Sequence, residues 1–134
     1  CLQDTRRDHC SLLISNTGLV KKVKKAGLII TVVPTNSYYL GNFSDEEWAR
    51  KQPIRKMDPM GLRVHPNTDG PTMHHVNATQ TWMLMYNFLN FTVSDLKAFM
   101  LNGIDGAWID EETKQKWKRE WSEEFDRLAE KFPG

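Results

Sequence analysis

The sequence Leu-Ile-Ile-Thr-Val-Val-Pro at residues 28–34 decides the fold class. It is almost continuously apolar and rich in β-branched residues, whereas a strand with one wet face alternates between apolar and polar residues. A run of this kind is typical of a strand in a parallel sheet that helices cover on both faces. The preceding residues agree, because apolar side chains recur at helical spacing from Leu19 to Ala26 and stop at Gly27, a residue favoured just past a helix end.

Shorter strands are predicted on both sides of this run. The opening segment Arg-Arg-Asp-His-Cys at residues 6–10 predicts a strand that ends at His9, and Leu-Arg-Val at residues 62–64 predicts a strand that leads to Asp69. Helical segments with capping or proline signals separate the strands, so the order is that of a parallel βαβ series. Because neighbouring parallel strands direct their carboxyl ends to the same edge, we expect His9 and Asp69 to face one pocket.

The last third of the sequence is predicted to be helical. A Met- and aromatic-rich run from Trp82 to Leu89 is apolar on most sides, which favours a buried helix. Thr92 with Asp95 makes a capping box for the next helix. Asp110 caps the final helix, on which an apolar stripe is predicted to pack against the protein or a partner: Trp117, Trp121, Phe125, Leu128 and Phe132.

Composition argues against several kinds of partner. With 18 basic and 17 acidic residues among 134, the chain has no charge excess of the kind that attracts nucleic acid or an anionic membrane. No stretch approaches the roughly 18 consecutive apolar residues that cross a bilayer. Neither a signal peptide nor a disulfide framework is recognised, so we expect a cytoplasmic protein, while glycosylation-type triplets at Asn42, Asn77 and Asn90 leave secretion open.

The histidines and Asp69 are the residues that suggest chemistry. An imidazole beside a carboxylate can activate a water, and the carboxylate can hold a divalent metal that lowers the pKa of that water. Residue spacing alone does not establish this, because strand histidines are often core residues and an aspartate after a strand is often a cap. Strand alternation would put His65 on the face of Asp69, while His74 and His75 are predicted to be solvated loop residues or to line a pocket entrance.

Five segments resemble the adenosine deaminase family of the amidohydrolase superfamily. Residues 6–10 are similar to the family's Arg-x-Gly-His-Gly, and residues 30–41 to its Glu-x-Cys-Pro-x-Ser-Asn segment. Residues 52–57, Gln-Pro-Ile-Arg-Lys-Met, resemble His-Pro-Ile-Arg-Lys-Leu, and residues 67–71, Asn-Thr-Asp-Gly-Pro, resemble Asn-Thr-Asp-Asp-Pro. Residues 101–114 resemble the family's closing helix pair.

The resemblance implies an α/β fold, namely the C-terminal portion of a (β/α)8 TIM-type barrel with strands six to eight, their helices and the C-terminal helices. Residues 1–134 would then be the C-terminal part of a single metal-dependent hydrolase domain. The implied reaction is zinc-dependent hydrolytic deamination of a purine nucleoside or base such as adenosine. His9 would orient the attacking water and help to deprotonate it, and Asp69 would bind Zn²⁺.

Departures from the family's pattern keep other interpretations open. The family's second aspartate, which contacts the purine, is Gly70 here, and the glycine before the catalytic histidine is Asp8. The latter pattern also resembles amidohydrolases that cleave amides or cyclic amides. The His-x-His and His-x-x-Glu that would supply the other zinc ligands have no counterpart, so we expect the N-terminal half of the barrel as a partner and no turnover from this chain alone. A non-catalytic half-barrel that acts as a binding module is the third interpretation.

Overall fold

A computed structural model of the chain describes residues 6–8, 11–35 and 45–131. Its elements follow one another as β1 (Arg6–Asp8), a 3-10 helix (Ser11–Ser15), α1 (Thr17–Lys25), β2 (Ile29–Val32), α2 (Asp45–Lys51), α3 (Ile54–Met57), β3 (Arg63–Pro66), α4 (Pro71–His74), α5 (Ala78–Asn87), α6 (Val93–Gly106) and α7 (Glu111–Lys131). The predicted alternation of strands and helices is confirmed, as is the helical last third.

The described strands form one parallel sheet in the order β1-β2-β3. Asp8 lies opposite Thr31, and Thr31 lies opposite His65, so these three residues form a row across the sheet. All four residues of β2 are buried. Since successive side chains of a strand point to opposite faces, the chain must cover both faces of the sheet, as residues 28–34 predict.

The main hydrophobic core takes in Ile30, Val32 and Val64, which alternate along their strands with residues that face the other side. Side chains from the surrounding helices and loops complete it: Leu13, Val20, Val23, Leu28, Trp48, Ile54, Met57, Leu62, Met85, Leu89, Phe91 and Phe99. The indole N–H of Trp48 donates to the carbonyl of Pro34 at 3.0 Å, which ties α2 to the end of β2.

Local sequence signals set several helix ends. Asn16 caps α1, Thr92 and Asp95 form the predicted capping box of α6, and Asp110 caps α7. Just past α1, Gly27 has a φ of 64°, a left-handed angle that glycine adopts without strain. Ser44 with Glu47 also has the pattern of a capping box for the helix that bears Trp48, and Ser44 lies outside the described residues.

Two helices are less buried than the sequence predicts. On α5, Met83 is 50% exposed, and Phe88 just after it is 43% exposed. On α7, Trp121 and Leu128 are exposed and no residue is fully buried, so the described part of the apolar stripe is only partly packed. Phe132 lies outside the described residues. The rings of Trp117 and Trp121 instead stack on each other, with their centroids 5.2 Å apart. None of the helices in the described residues combines the length and apolar character needed to cross a membrane.

Helix α6 approaches the sheet closely at two glycines. A Cβ added to Gly106 would lie 3.3 Å from the side chain of Ile29 on β2. A Cβ added to Gly103 would lie 2.5 Å from atoms of the His65 ring on β3, a distance at which carbon atoms overlap. The absence of a side chain at Gly103 therefore makes room for the imidazole.

Polar contacts fix the same helix in register with β3 and α7. Asn102 donates from Nδ2 to the carbonyl of Val64 at 2.9 Å and accepts from Arg63 Nε at 3.2 Å. Arg63 also pairs with the carboxylate of Asp105, which in turn pairs with Lys118 of α7. Burial would raise the pKa of Asp105, but the hydrogen bonds from Lys118 and Arg63 outweigh it and lower that pKa. The Asp105 carboxylate is thus held in its charged form between three elements.

Replacing Gly103 by alanine is expected to destabilise the fold by about 1–3 kcal/mol, because the added methyl overlaps the His65 ring and forces α6 or the ring to move. Urea unfolding followed by circular dichroism measures the change. The matched control is Gly18→Ala on α1, where an added Cβ meets nothing closer than 3.4 Å and should be neutral or stabilise by up to ~1 kcal/mol. Equal free energies of unfolding for the two variants would show that His65 does not fill the space at Gly103.

Candidate functional site

The two residues proposed for chemistry follow β1 and β3 at the same edge of the sheet. His9 lies outside the described residues, directly after Asp8, the last residue of β1. Asp69 lies three residues beyond Pro66, the last residue of β3. Because both strands run parallel to β2, their carboxyl ends share one edge, as predicted. Strands β1 and β3 are not direct neighbours, however, because β2 lies between them and separates them by roughly 10 Å.

Asp69 belongs to a turn that is fastened to the sheet. The backbone N–H of Asn67 donates to the carbonyl of Val32 on β2 at 2.8 Å. The side-chain Oδ1 of Asn67 accepts from the backbone N–H of Asp69 at 2.5 Å. Asp69 is exposed and has a φ of 57°, a left-handed angle that aspartate tolerates better than most residues. The turn therefore presents the carboxylate at the surface of the carboxyl edge.

His65 lies on β3, which ends at Pro66, so strand alternation does not extend from His65 to the turn of Asp69. Its Nδ1 lies 2.9 Å from the carbonyl oxygen of Phe99, and its ring meets the edge of Trp82 at a centroid distance of 6.1 Å. Burial lowers the pKa of His65, the Phe99 carbonyl opposes that effect, and the charge of Arg6 adds to it. His65 is thus a packing residue between β3 and α6.

A carboxylate and a hydroxyl meet on β1 and β2, and the sequence did not reveal this pair. Thr31 donates from Oγ1 to the carboxylate of Asp8, and Arg6 Nε lies 3.4 Å from the same oxygen. The Arg6 guanidinium lies over the ring of Trp108 at 4.4 Å. The available signal was a single polar residue, Thr31, in an otherwise apolar strand. The contact fixes the Asp8 side chain just before His9.

The segment after Asp69 forms a short helix bordered by an open cleft. Gly70 precedes α4, and its φ of −87° is accessible to any residue. His74 ends α4 and is partly buried. His75 is exposed, has a left-handed φ of 51°, and lines the cleft together with Pro71, Thr72, Val76, Asn77 and Gln80. The sequence predicted that His74 and His75 are either solvated or line a pocket entrance. For His75 both descriptions apply, because it is exposed and also lines the cleft.

The described residues hold no group of three or more His, Cys, Asp or Glu side chains that could bind a metal ion. The carboxylate of Asp69 is nevertheless a suitable type of zinc ligand. Catalytic zinc takes about three protein ligands, so Asp69 fits such a site only as one member of a larger set. The other members would have to come from outside the described ranges.

The family model for adenosine deaminase matches residues 1–123 of this chain. The chain therefore belongs to the adenosine deaminase family. Among curated relatives, the adenine deaminase of Rhizobium meliloti is 26% identical over 115 residues, which cover 86% of this chain and 35% of the relative. The adenosine deaminase of Plasmodium falciparum is 29% identical over 98 residues, covering 73% of this chain and 26% of the relative.

Solved structures share the fold of this chain. An amidohydrolase from Burkholderia ambifaria, crystallised with bound zinc, is 49% identical and superposes with a TM-score of 0.88 over 95% of this chain and 35% of that one. An adenine deaminase from Arthrobacter aurescens, 22% identical, shares the fold with a TM-score of 0.80 over 89% of this chain and 36% of its own. The chain thus spans between 26% and 36% of the length of these relatives.

The stability of the fold is expected to fall as the pH drops below about 6.5, the ordinary pKa of histidine. The unfolded chain takes up a proton on His65 at that pH, whereas the folded chain does so only at lower pH, so stability is lost until the pH passes the lowered pKa. Urea unfolding between about pH 7.5 and pH 5 measures the loss.

The variant His65→Asn should flatten this pH dependence because it removes the titrating group. Asp105 cannot produce the same effect, since its pKa is lowered from 3.8 and its contribution is lost only as the pH falls through that more acidic range. An unchanged slope in His65→Asn would contradict the assignment.

Proposed function

We propose that the protein containing this chain removes an amino group from a purine-like ring by hydrolysis, and that this chain supplies His9, Asp69 and Gly70. The observation that carries the proposal is the position of Asp69 beyond the carboxyl end of β3, in a chain of the adenosine deaminase family. In the reaction, water adds to the carbon that bears the amino group, the nitrogen gains a proton, and ammonia leaves. A carbonyl remains on the ring.

The proposed architecture is the C-terminal portion of a (β/α)8 barrel, in which β1, β2 and β3 are strands six, seven and eight. Residues 1–134 would be the C-terminal part of one metal-dependent hydrolase domain. The superposition on 35% of the zinc-bound amidohydrolase supports this arrangement. The remaining strands would be supplied by another part of the same protein or by a second chain, because three parallel strands cannot close a barrel that needs eight.

Asp69 is proposed as one carboxylate ligand of a zinc ion. Such an ion, when bound, lowers the pKa of a coordinated water and so supplies a nucleophile near neutral pH. The bound zinc of the Burkholderia relative supports the choice of metal. The proposed role of Asp69 is to present a carboxylate oxygen at the carboxyl edge, where the Asn67 side chain holds the backbone N–H of Asp69.

His9 is proposed to orient the attacking water and to accept its proton. The residue follows Asp8, whose carboxylate is held by Thr31, so the preceding backbone is fixed. An imidazole is suited to this step because its ordinary pKa lies near the working pH. Gly70 is proposed to border the substrate, since it directly follows Asp69 and carries no side chain.

Hydrolysis of an amide or cyclic amide is the second candidate, and the observation that favours it is Asp8 before His9. The Asp8 carboxylate accepts a hydrogen bond from Thr31, so its position at the end of β1 is fixed. Assays separate the two reactions, because purines release ammonia whereas cyclic amides open to a new carboxylate. A full-length protein that carries out neither reaction and holds no metal by elemental analysis would favour a non-catalytic binding module.

In the full-length protein, His9→Ala is expected to lower kcat/KM for purine deamination by about 10³-fold while zinc binding persists, because proton transfer contributes roughly 10²–10⁴-fold. Asp69→Ala is expected to remove both zinc and activity, because a metal ligand is lost. Ammonia release and elemental analysis are the measurements. Glu120→Ala, a surface carboxylate on α7, should leave both unchanged. Full activity in His9→Ala, or a normal zinc content in Asp69→Ala, would refute the respective role.

Residues 1–134 expressed alone are expected to release no ammonia from adenine or adenosine when zinc is added. A single carboxylate does not make a catalytic zinc site. Mixing with a separately expressed N-terminal part of the same protein should restore activity if the two parts form one barrel. Turnover by the isolated chain would show that the missing ligands lie within it.

A further inference from the structure

The glycine after Asp69 is not required by the backbone or by packing. Gly70 has a φ of −87°, which any L-residue can adopt. A Cβ added there would meet Met73 Cβ at 3.7 Å, Met73 Cε at 3.8 Å and His74 Cδ2 at 4.0 Å, all ordinary contacts. By contrast, Gly27 has a positive φ, and a Cβ added to Gly103 would overlap the His65 ring. The missing side chain at Gly70 therefore leaves usable space beside Asp69.

The side chains nearest to this space are those of Met73 and His74, and the atoms that face it are carbons. Met73 is 75% exposed, a large apolar side chain left open to solvent within four residues of Asp69. A thioether is polarisable and makes favourable contacts with aromatic rings and apolar groups. His74 presents a ring carbon to the same space. Because the contacts at this space are made by carbon atoms, an apolar group fits it.

We propose that Gly70, Met73 and His74 form a subsite for an uncharged apolar or aromatic substituent on the ring of the substrate. This inference rests on the proposed function, because it places the reacting carbon near Asp69. It deepens that function by naming the substrate class, a ring amine that carries a bulky neutral group on the edge beside Gly70. The substituent would pack against the Met73 thioether and the His74 ring in the space that a side chain at position 70 would fill.

The test uses the full-length, zinc-loaded protein and a set of defined compounds, adenine and adenines that carry one benzyl group at C2, C8, N3, N7 or N9. The measured quantity is the ratio of kcat/KM for each benzyl compound to kcat/KM for adenine. Gly70→Leu fills the space and is expected to lower the ratio for the accepted compound by about 20-fold, as expected for steric exclusion from an apolar pocket.

Graded and matched variants separate filling of the subsite from general damage. Gly70→Ala adds a single methyl with only ordinary contacts, so it should fold and give a smaller decrease in the ratio. Met73→Ala removes the apolar wall at an exposed position and should also lower the ratio. Gly18→Ala on α1 is the control and should leave the ratio unchanged. A ratio that stays constant in all variants, or rejection of every benzyl compound by the unaltered protein, overturns the subsite.

The same compounds distinguish failure of the subsite from failure of the proposed reaction. If adenine is deaminated but the ratio does not respond to residues 70 and 73, the reaction stands and the subsite fails. If no compound releases ammonia, the reaction fails and calorimetric binding decides the subsite. Selective weakening of benzyladenine binding by Gly70→Leu then supports it. Equal weakening, or no binding of any compound, overturns it.

Discussion

Every residue of β2 is buried, and the strand is paired in parallel with β1 on one side and β3 on the other. A strand in this position has no edge of its own, and both of its faces must be covered to remove Ile29 and Ile30 from water. Helices cover the sheet, and because they connect successive strands, the strands run in the same direction. At the carboxyl edge β3 gives way to a turn, where Asp69 is exposed without a cost in burial.

The way α6 covers the sheet explains much of the remaining architecture. Two glycines let the helix approach, one of them opposite the His65 ring, and side-chain hydrogen bonds from Asn102 fix its position along β3. Asp105 extends the same contact to α7 by pairing with both Arg63 and Lys118. Since Asp105 lies between oppositely charged partners, its pKa falls and it stays charged at neutral pH. Helix α7 is thus held in part by polar contacts, and its aromatic stripe is only partly buried.

The sequence predicted the local structure better than the side-chain contacts between elements. Residues 28–34 predicted the buried strand, because a continuously apolar strand is typical of a sheet that is covered on both faces. Capping signals such as Thr92 with Asp95 predicted where helices begin. The row of Asp8, Thr31 and His65 was missed, because strand register is set by tertiary pairing. The prediction that His65 shares a face with Asp69 rests on strand alternation, which applies only as far as Pro66, where β3 ends before the turn.

The turn that carries Asp69 is shaped by the protein itself. Asn67 is tied to β2 through the Val32 carbonyl, and its side chain holds the backbone N–H of Asp69. These bonds support a left-handed conformation that costs on the order of 1–3 kcal/mol when nothing stabilises it. The backbone conformation at Asp69 is consequently set by contacts with β2 and β3. Any metal site that uses Asp69 must therefore be completed by bringing further ligands to this edge, because the turn has little freedom to move toward them.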